Sequence, residues 1–170
     1  MALSKIDAAN FLDGTIPSGN ITTASLAAAA TGKVLQVVST AKTDSFSTTA
    51  TSDTAVTGLS LSITPSSSSN KIFVTFSGVT YCLNSSNYFG AMSIYRGSTE
   101  IVGGQAGVAG TTGGIVNSAI SILDTPSTTS AITYQLYVKS EGNSSTVKIN
   151  DPSGVVDTEK AVLTAYEIAG

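Results

Sequence analysis

The sequence predicts an all-β fold: a jelly-roll β-sandwich over residues 33–170, preceded by an extended, partly helical N-terminal arm over residues 1–32. Three observations predict it. From Lys33 onward, apolar residues recur at alternate positions in short runs, the period of a half-buried strand. Clusters of Gly, Ser, Thr, Asn and Pro separate those runs, giving eight to ten strands. Finally, 41% of the 170 residues are hydrophobic, enough for a core, while nothing beyond Lys33 carries a clear helical period.

The arm differs in kind from the rest. Its large apolar side chains are Leu3, Ile6, Phe11, Leu12, Ile16, Ile21 and Leu26, set among small and polar residues. Leu3, Ile6 and Asn10 fall at helical spacing with Gly14 as a stop. Thr22 or Thr23 caps a short helix through Ala30, closed by Gly32. Gly14, Pro17 and Gly19 break anything longer. Such a segment builds no core of its own. It is either an unordered chain end or a docking arm whose seven apolar side chains find a surface elsewhere.

The sandwich begins with KVLQVVST, where Val34, Leu35, Val37 and Val38 are too apolar for a strand with one wet face. Leu59, Leu61 and Ile63 then alternate with serines, and residues 65–70 form a turn. Ile72, Val74 and Phe76 point inward, but beyond Gly78 the apolar set becomes Val79, Tyr81 and Leu83. That change of phase at a glycine predicts a β-bulge. A turn at residues 84–87 leads to a strand with Met92 and Ile94 inward, ending at Arg96 and Gly97. After Glu100 to Val102, the glycine-rich residues 103–114 read as a flexible loop. Ile120 and Ile122 mark the next strand, and residues 124–130 the next turn. Ile132, Tyr134, Leu136 and Val138 give the clearest alternation in the chain. A turn in EGNSS, the strand TVKIN and the turn-rich DPSGVVDTE follow. The last strand sets Val162, Thr164, Tyr166 and Ile168 on one face.

Charge and composition exclude several functions. Only 11% of residues are charged, and 26 Ser plus 24 Thr make 50 of 170, so the surface is polar without being ionic. Nucleic-acid binding needs clustered cations; this chain has net charge −3, one arginine (Arg96) and seven scattered lysines. No run approaches the ~20 apolar residues of a membrane helix. The opening MALSKIDAAN has no basic segment followed by an apolar one, so synthesis in a cytoplasm and placement by assembly are expected. The single cysteine, Cys82, lies in an apolar run and reads as a buried thiol.

Catalytic chemistry finds few carriers. With no histidine, the commonest general base, nucleophile activator and metal ligand is missing. Carboxylate pairs remain (Asp44 with Asp53, Asp151 with Asp157, Glu159 with Glu167), but none sits in an aromatic-rich pattern and each reads as a solvated acid. DPSGVVD lacks the closely spaced acids of a calcium loop. Residues 103–114 do not spell a dinucleotide fingerprint, and TGKV at 31–34 is no phosphate loop. The Asn-x-Ser/Thr triplets at Asn20, Asn84 and Asn143 are chance products of the Ser/Thr content. No enzyme, cofactor or metal site is expected.

The run from Ile120 to Asn150, followed by AVLTAYEIAG, resembles the C-terminal half of jelly-roll virion proteins of tailed bacteriophages. There, a D-x-P turn and a T-Y-x-apolar strand precede a terminal LTxxEIA strand. The matching positions are Asp124, Pro126, Thr133, Tyr134, Leu136, Leu163, Thr164, Glu167 and Ile168. IDAANFLDGTIPSGNI resembles the fibre-like leader that precedes such domains, and the architecture is similar to C1q/TNF-like trimeric jelly rolls. The resemblance implies a homotrimer on the virion surface, held through the arm to other virion proteins such as the major capsid protein or neck and tail proteins. It would serve as a capsid decoration (cement) protein or a short head or tail fibre. The alternative it leaves open is the receptor- or glycan-binding tip of a tail fibre. Loops 84–89 and 103–114 would then meet a host surface glycan, with Tyr88 and Phe89 as stacking surfaces.

Overall fold

The computed structural model describes residues 33–83, 90–106, 114–141, 145–150 and 160–170. These residues form ten strands: β1 (Val34–Lys42), β2 (Phe46–Thr48), β3 (Thr54–Ile63), β4 (Lys71–Leu83), β5 (Gly90–Arg96), β6 (Thr99–Ala106), β7 (Gly114–Asp124), β8 (Ile132–Ser140), β9 (Thr146–Ile149) and β10 (Ala161–Ile168). Every pairing is antiparallel. The pairings are nested: β1 with β10, β3 with β8, β4 with β7, and β5 with β6. A long hairpin rolled on itself produces this nesting, and the result is the predicted jelly roll. Sheet A runs β1-β10-β4 with β7 along the far side of β4, while sheet B runs β3-β8-β5-β6. The short pair β2 and β9 extends sheet A beside the C-terminal end of β4.

Alternation placed the core correctly. Leu59, Leu61 and Ile63 of β3, Met92 and Ile94 of β5, and Tyr134, Leu136 and Val138 of β8 face Ile72, Val74 and Phe76 of β4 across the sandwich, all buried. Ile120, Ile122 and Ile132 pack against this cluster, and Cys82 is buried within it. At one end the interior turns polar: the Thr80 and Ser118 hydroxyls share a buried hydrogen bond of 2.6 Å. The β5–β6 turn uses Gly97 at φ 58°, a left-handed conformation that suits glycine.

Three expectations are corrected. Gly78 makes no bulge: β4 stays in one register with β7 from Ile72 to Cys82, and Gly78, Thr80 and Cys82 continue the buried parity. Val79 and Tyr81 therefore share the outer face with Phe73. The glycine answers to packing instead. The other edge of β4 passes from β10 (through Ser77) to β9 (from Thr80), and Ala161 closes in over the junction. A Cβ at 78 would lie 2.8 Å from the Ala161 Cβ and 2.9 Å from its Cα. Gly78→Ala should therefore cost about 1–3 kcal/mol through overpacking, read as a lower urea midpoint with unchanged slope. Secondly, residues 103–106 and 114 belong to β6 and β7, because ladder hydrogen bonds to β5 and β4 need no side chains. Thirdly, β1 is an edge strand: Val34, Leu35 and Val37 are exposed and only Val38 packs on the core.

Candidate functional site

The outer face of sheet A follows from that third correction. Val37 of β1, Tyr166 of β10, Phe73 of β4 and Leu123 of β7 are direct cross-strand neighbours and form one continuous row. At ~4.8 Å per strand the row spans roughly 14 Å. Val37 is 53% and Leu123 49% exposed, and the Phe73 and Tyr166 rings lie 6.1 Å apart, tilted by 37°. Val34 and Ile168 border the row on one side, closing a shallow depression lined by Val34, Phe73, Thr75, Leu123, Tyr166 and Ile168. On the other side come Ser39, Thr164, Thr75 and Ser121, then Ala41, Val162, Ser77 and Ala119. These three rows contain no charged side chain; Lys71, opposite Ile168, stands at the rim. The expected set Val162, Thr164, Tyr166 and Ile168 does share one face, and that face is this one. Among the described residues this contiguous apolar strip is the candidate interaction surface.

Beneath the strip, the inward parity of β10 carries Glu167, which is 1% exposed. This corrects the reading of that residue as a solvated acid. Its Oε1 accepts from the Ser66 N–H at 2.6 Å, the Ser66 hydroxyl at 2.7 Å and the Asn70 amide at 2.5 Å; Oε2 accepts from the Gln36 amide at 2.6 Å. Gln36 also donates to the Thr64 carbonyl at 2.7 Å. Burial pushes the carboxyl's pKa up, but the donors from Asn70, Ser66 and Gln36 outweigh it and hold the group down at about 2. One buried anion thus ties the 64–70 turn and β1 to β10 and fixes where Val34, Val37 and Ile168 stand.

A second polar tie joins the two sheets. Arg96 of β5 donates to both oxygens of Asp124 at 2.8 and 2.9 Å, and the buried Tyr134 hydroxyl of β8 donates to Asp124 Oδ2 at 2.6 Å. Burial, then the Asp124 hydrogen bond, pushes the Tyr134 phenol up. Asp124, Tyr134 and Glu167, all matched in the sequence resemblance, therefore sit in these two polar ties.

The other candidates divide by position. Asp44 is largely exposed and pairs with the buried Lys42 at 2.8 Å, while Asp53 accepts from the Tyr95 hydroxyl at 2.7 Å; the two do not form a pair. The arm set (Leu3, Ile6, Phe11, Leu12, Ile16, Ile21, Leu26), the loop pair Tyr88 and Phe89, and the acids Asp151, Asp157 and Glu159 lie outside the described residues. Among the described residues, no three of His, Cys, Asp and Glu gather as metal ligands would, and no helix is long and apolar enough to cross a membrane. Sequence reasoning missed the sheet A strip, although a signal was present. In VLQVV, IFVTF and AVLTAYEI, large apolar residues occupy both parities of one strand, so one apolar set has to lie on the face turned away from the core.

Fold and surface together define an antiparallel jelly-roll β-sandwich with one apolar outer face. No protein-family model and no curated protein matches the sequence. Among solved structures, the chain is similar to the VP2 subviral particle of infectious bursal disease virus, with a TM-score of 0.39 and 14% identity over 79% of this chain and 38% of that one. The T=1 particles derived from that virus give 0.37 and 16% over 79% and 36%. The Gt strain gives 0.35 and 15% over 82% and 39%. This chain spans less than two-fifths of the length of those viral chains.

Proposed function

We propose that this chain is a structural, non-enzymatic protein of a tailed-phage virion. In this reading it is a surface jelly roll that associates as a homotrimer through the outer face of sheet A. Residues 1–32 hold it to the particle, as a capsid decoration (cement) protein or short head or tail fibre. The observation that carries the reading is the uncharged apolar row Val37–Tyr166–Phe73–Leu123. Fully burying one such side chain is worth about 1.5–3 kcal/mol, so covering this half-exposed set contributes several kcal/mol per subunit before association costs. Threefold order and attachment to the major capsid, neck or tail proteins rest on the sequence resemblance. Avidity through three arms then converts modest single contacts into lasting attachment.

Two measurements test it. Light scattering on the purified chain should return three times the 17.1 kDa of one copy. Removing residues 1–32 should leave the three-copy assembly in solution, at the correspondingly lower mass, and abolish binding to the virion. A monomeric full-length chain, or full particle occupancy by the truncated one, would overturn the reading.

A further inference from the structure

The outer face of sheet B differs in kind from that of sheet A. Outward positions of β3 and β8 carry Ser60, Ser62, Thr133 and Gln135, small or polar throughout. Beside them, Tyr95 of β5 and Tyr137 of β8 stack diagonally across the strands, ring centroids 4.2 Å apart and tilted by 39°. Both rings are half-buried, so part of the pair remains open to solvent.

Fixed hydrogen-bond acceptors flank the rings. On one side the Tyr95 hydroxyl donates to Asp53 Oδ2 at 2.7 Å. On the other, the Ser93 hydroxyl, 4% exposed, donates to Glu100 Oε1 at 2.6 Å. Each carboxylate has acceptor sites left after these bonds, because an ionised carboxylate accepts about four. Gly103 pairs with Ser93 across the ladder, and its backbone requires no glycine: its φ lies outside the left-handed region. The space above it is occupied instead by neighbouring side-chain oxygens. A Cβ there would lie 2.7 Å from Glu100 Oε1 and 3.3 Å from Ser93 Oγ. The missing side chain keeps the carboxylate and hydroxyl seated in a floor beside the aromatic pair. Among the described residues the cation close by is Lys139, engaged with Glu141 at 3.1 Å.

We infer that this face binds a neutral saccharide, one sugar ring lying on the Tyr95–Tyr137 pair with its hydroxyls donating to Asp53 and Glu100. The chemistry selects that class. Aromatic rings take the C–H face of a pyranose, and fixed carboxylates take its hydroxyl protons. With Asp53, Glu100 and Glu141 against Lys139, the patch repels sialylated and uronate sugars. The site is shallow, so a single copy binds weakly and several copies on a particle bind by avidity. It lies apart from the sheet A strip and holds whether or not the particle reading does.

The test is an array of neutral hexose and N-acetylhexosamine oligosaccharides alongside sialylated and uronate ones, probed with the full chain, followed by calorimetric titration of the strongest neutral binder. Binding to neutral glycans alone is expected. Tyr137→Ala, which removes half the platform, should weaken it by about tenfold or more. Gly103→Ala, which fills the floor at a solvent-facing position, should weaken it comparably while circular dichroism and the thermal midpoint stay close to those of the unmodified chain. Leu123→Asp, on the opposite sheet, should leave the per-site affinity unchanged. Absence of binding to any neutral glycan, preference for the anionic ones, or affinity untouched by both Tyr137→Ala and Gly103→Ala would each overturn the inference.

Discussion

Glu167→Ala is expected to destabilise the fold by about 3–5 kcal/mol, because it leaves four donors of Ser66, Asn70 and Gln36 without their buried anion. The same network predicts a pH dependence whose sign is set by the direction of the carboxyl's displacement. The folded chain holds that group at about 2, against an ordinary 4.5. The folded state therefore binds fewer protons than the unfolded one in this window, and the carboxylate's contribution is complete above about pH 5. It drains away as pH falls towards 2, and the gap between the two values corresponds to about 3 kcal/mol. Urea titrations at pH 7, 4, 3 and 2 measure this. Glu167→Gln, which keeps size and one acceptor, should be less stable at pH 7 and should flatten that acid limb. Equal acid sensitivity in both proteins would mean that the network does not hold the carboxylate charged.

If the outer face of sheet A is the contact of the proposed trimer, Leu123→Asp is expected to yield monomer, raising the dissociation constant by more than about a hundredfold. An aspartate there would be buried without a partner and repeated in every subunit of the ring. Leu123 is 49% exposed on the edge strand β7, so the single chain loses little core packing and its thermal midpoint should barely move. Val37→Lys, at the opposite end of the row, should have the same effect with opposite charge, whereas Thr133→Asp on the outer face of sheet B should leave the mass unchanged. Light scattering at several concentrations reads all three. A Leu123→Asp chain that retains the mass of the unmodified protein would place the interface elsewhere.

Period-two alternation made most of the architecture legible. In β3, β4 and β8, neighbouring side chains differ so sharply in polarity that only one face could be the core, and Leu61, Val74 and Leu136 sit where that pattern puts them. Alternation failed where both parities are apolar or neither is. In β1, four apolar residues within five positions looked like a strand buried on two sides, but Val34, Leu35 and Val37 stand exposed. Beyond Val102, glycines hid the rest of a strand whose backbone stays paired with β5 as far as Ala106. At Gly78 the change of apolar phase was real in the sequence and meant something else. Thr80 is buried in a hydroxyl pair while Tyr81 faces outward against Lys148, whose ammonium lies 5.7 Å from the ring centre. Glu167 shows the same limit. Its charge argued for solvent, yet Ser66, Asn70 and Gln36, as many as 131 positions away, supply the donors that make burial stable.

What this sequence determined by itself is the all-β class, the positions of most strands and the side of each that meets the core, because those follow from a local period and from turn residues acting within a few positions. Only the tertiary structure decided which strands became neighbours, and therefore that Val37, Tyr166, Phe73 and Leu123 meet in one row, that Asp124 joins the sheets and that Glu167 is enclosed. Each of those depends on contacts between residues far apart in the chain, and a one-dimensional pattern carries no record of which distant partner will fill a strand's open edge.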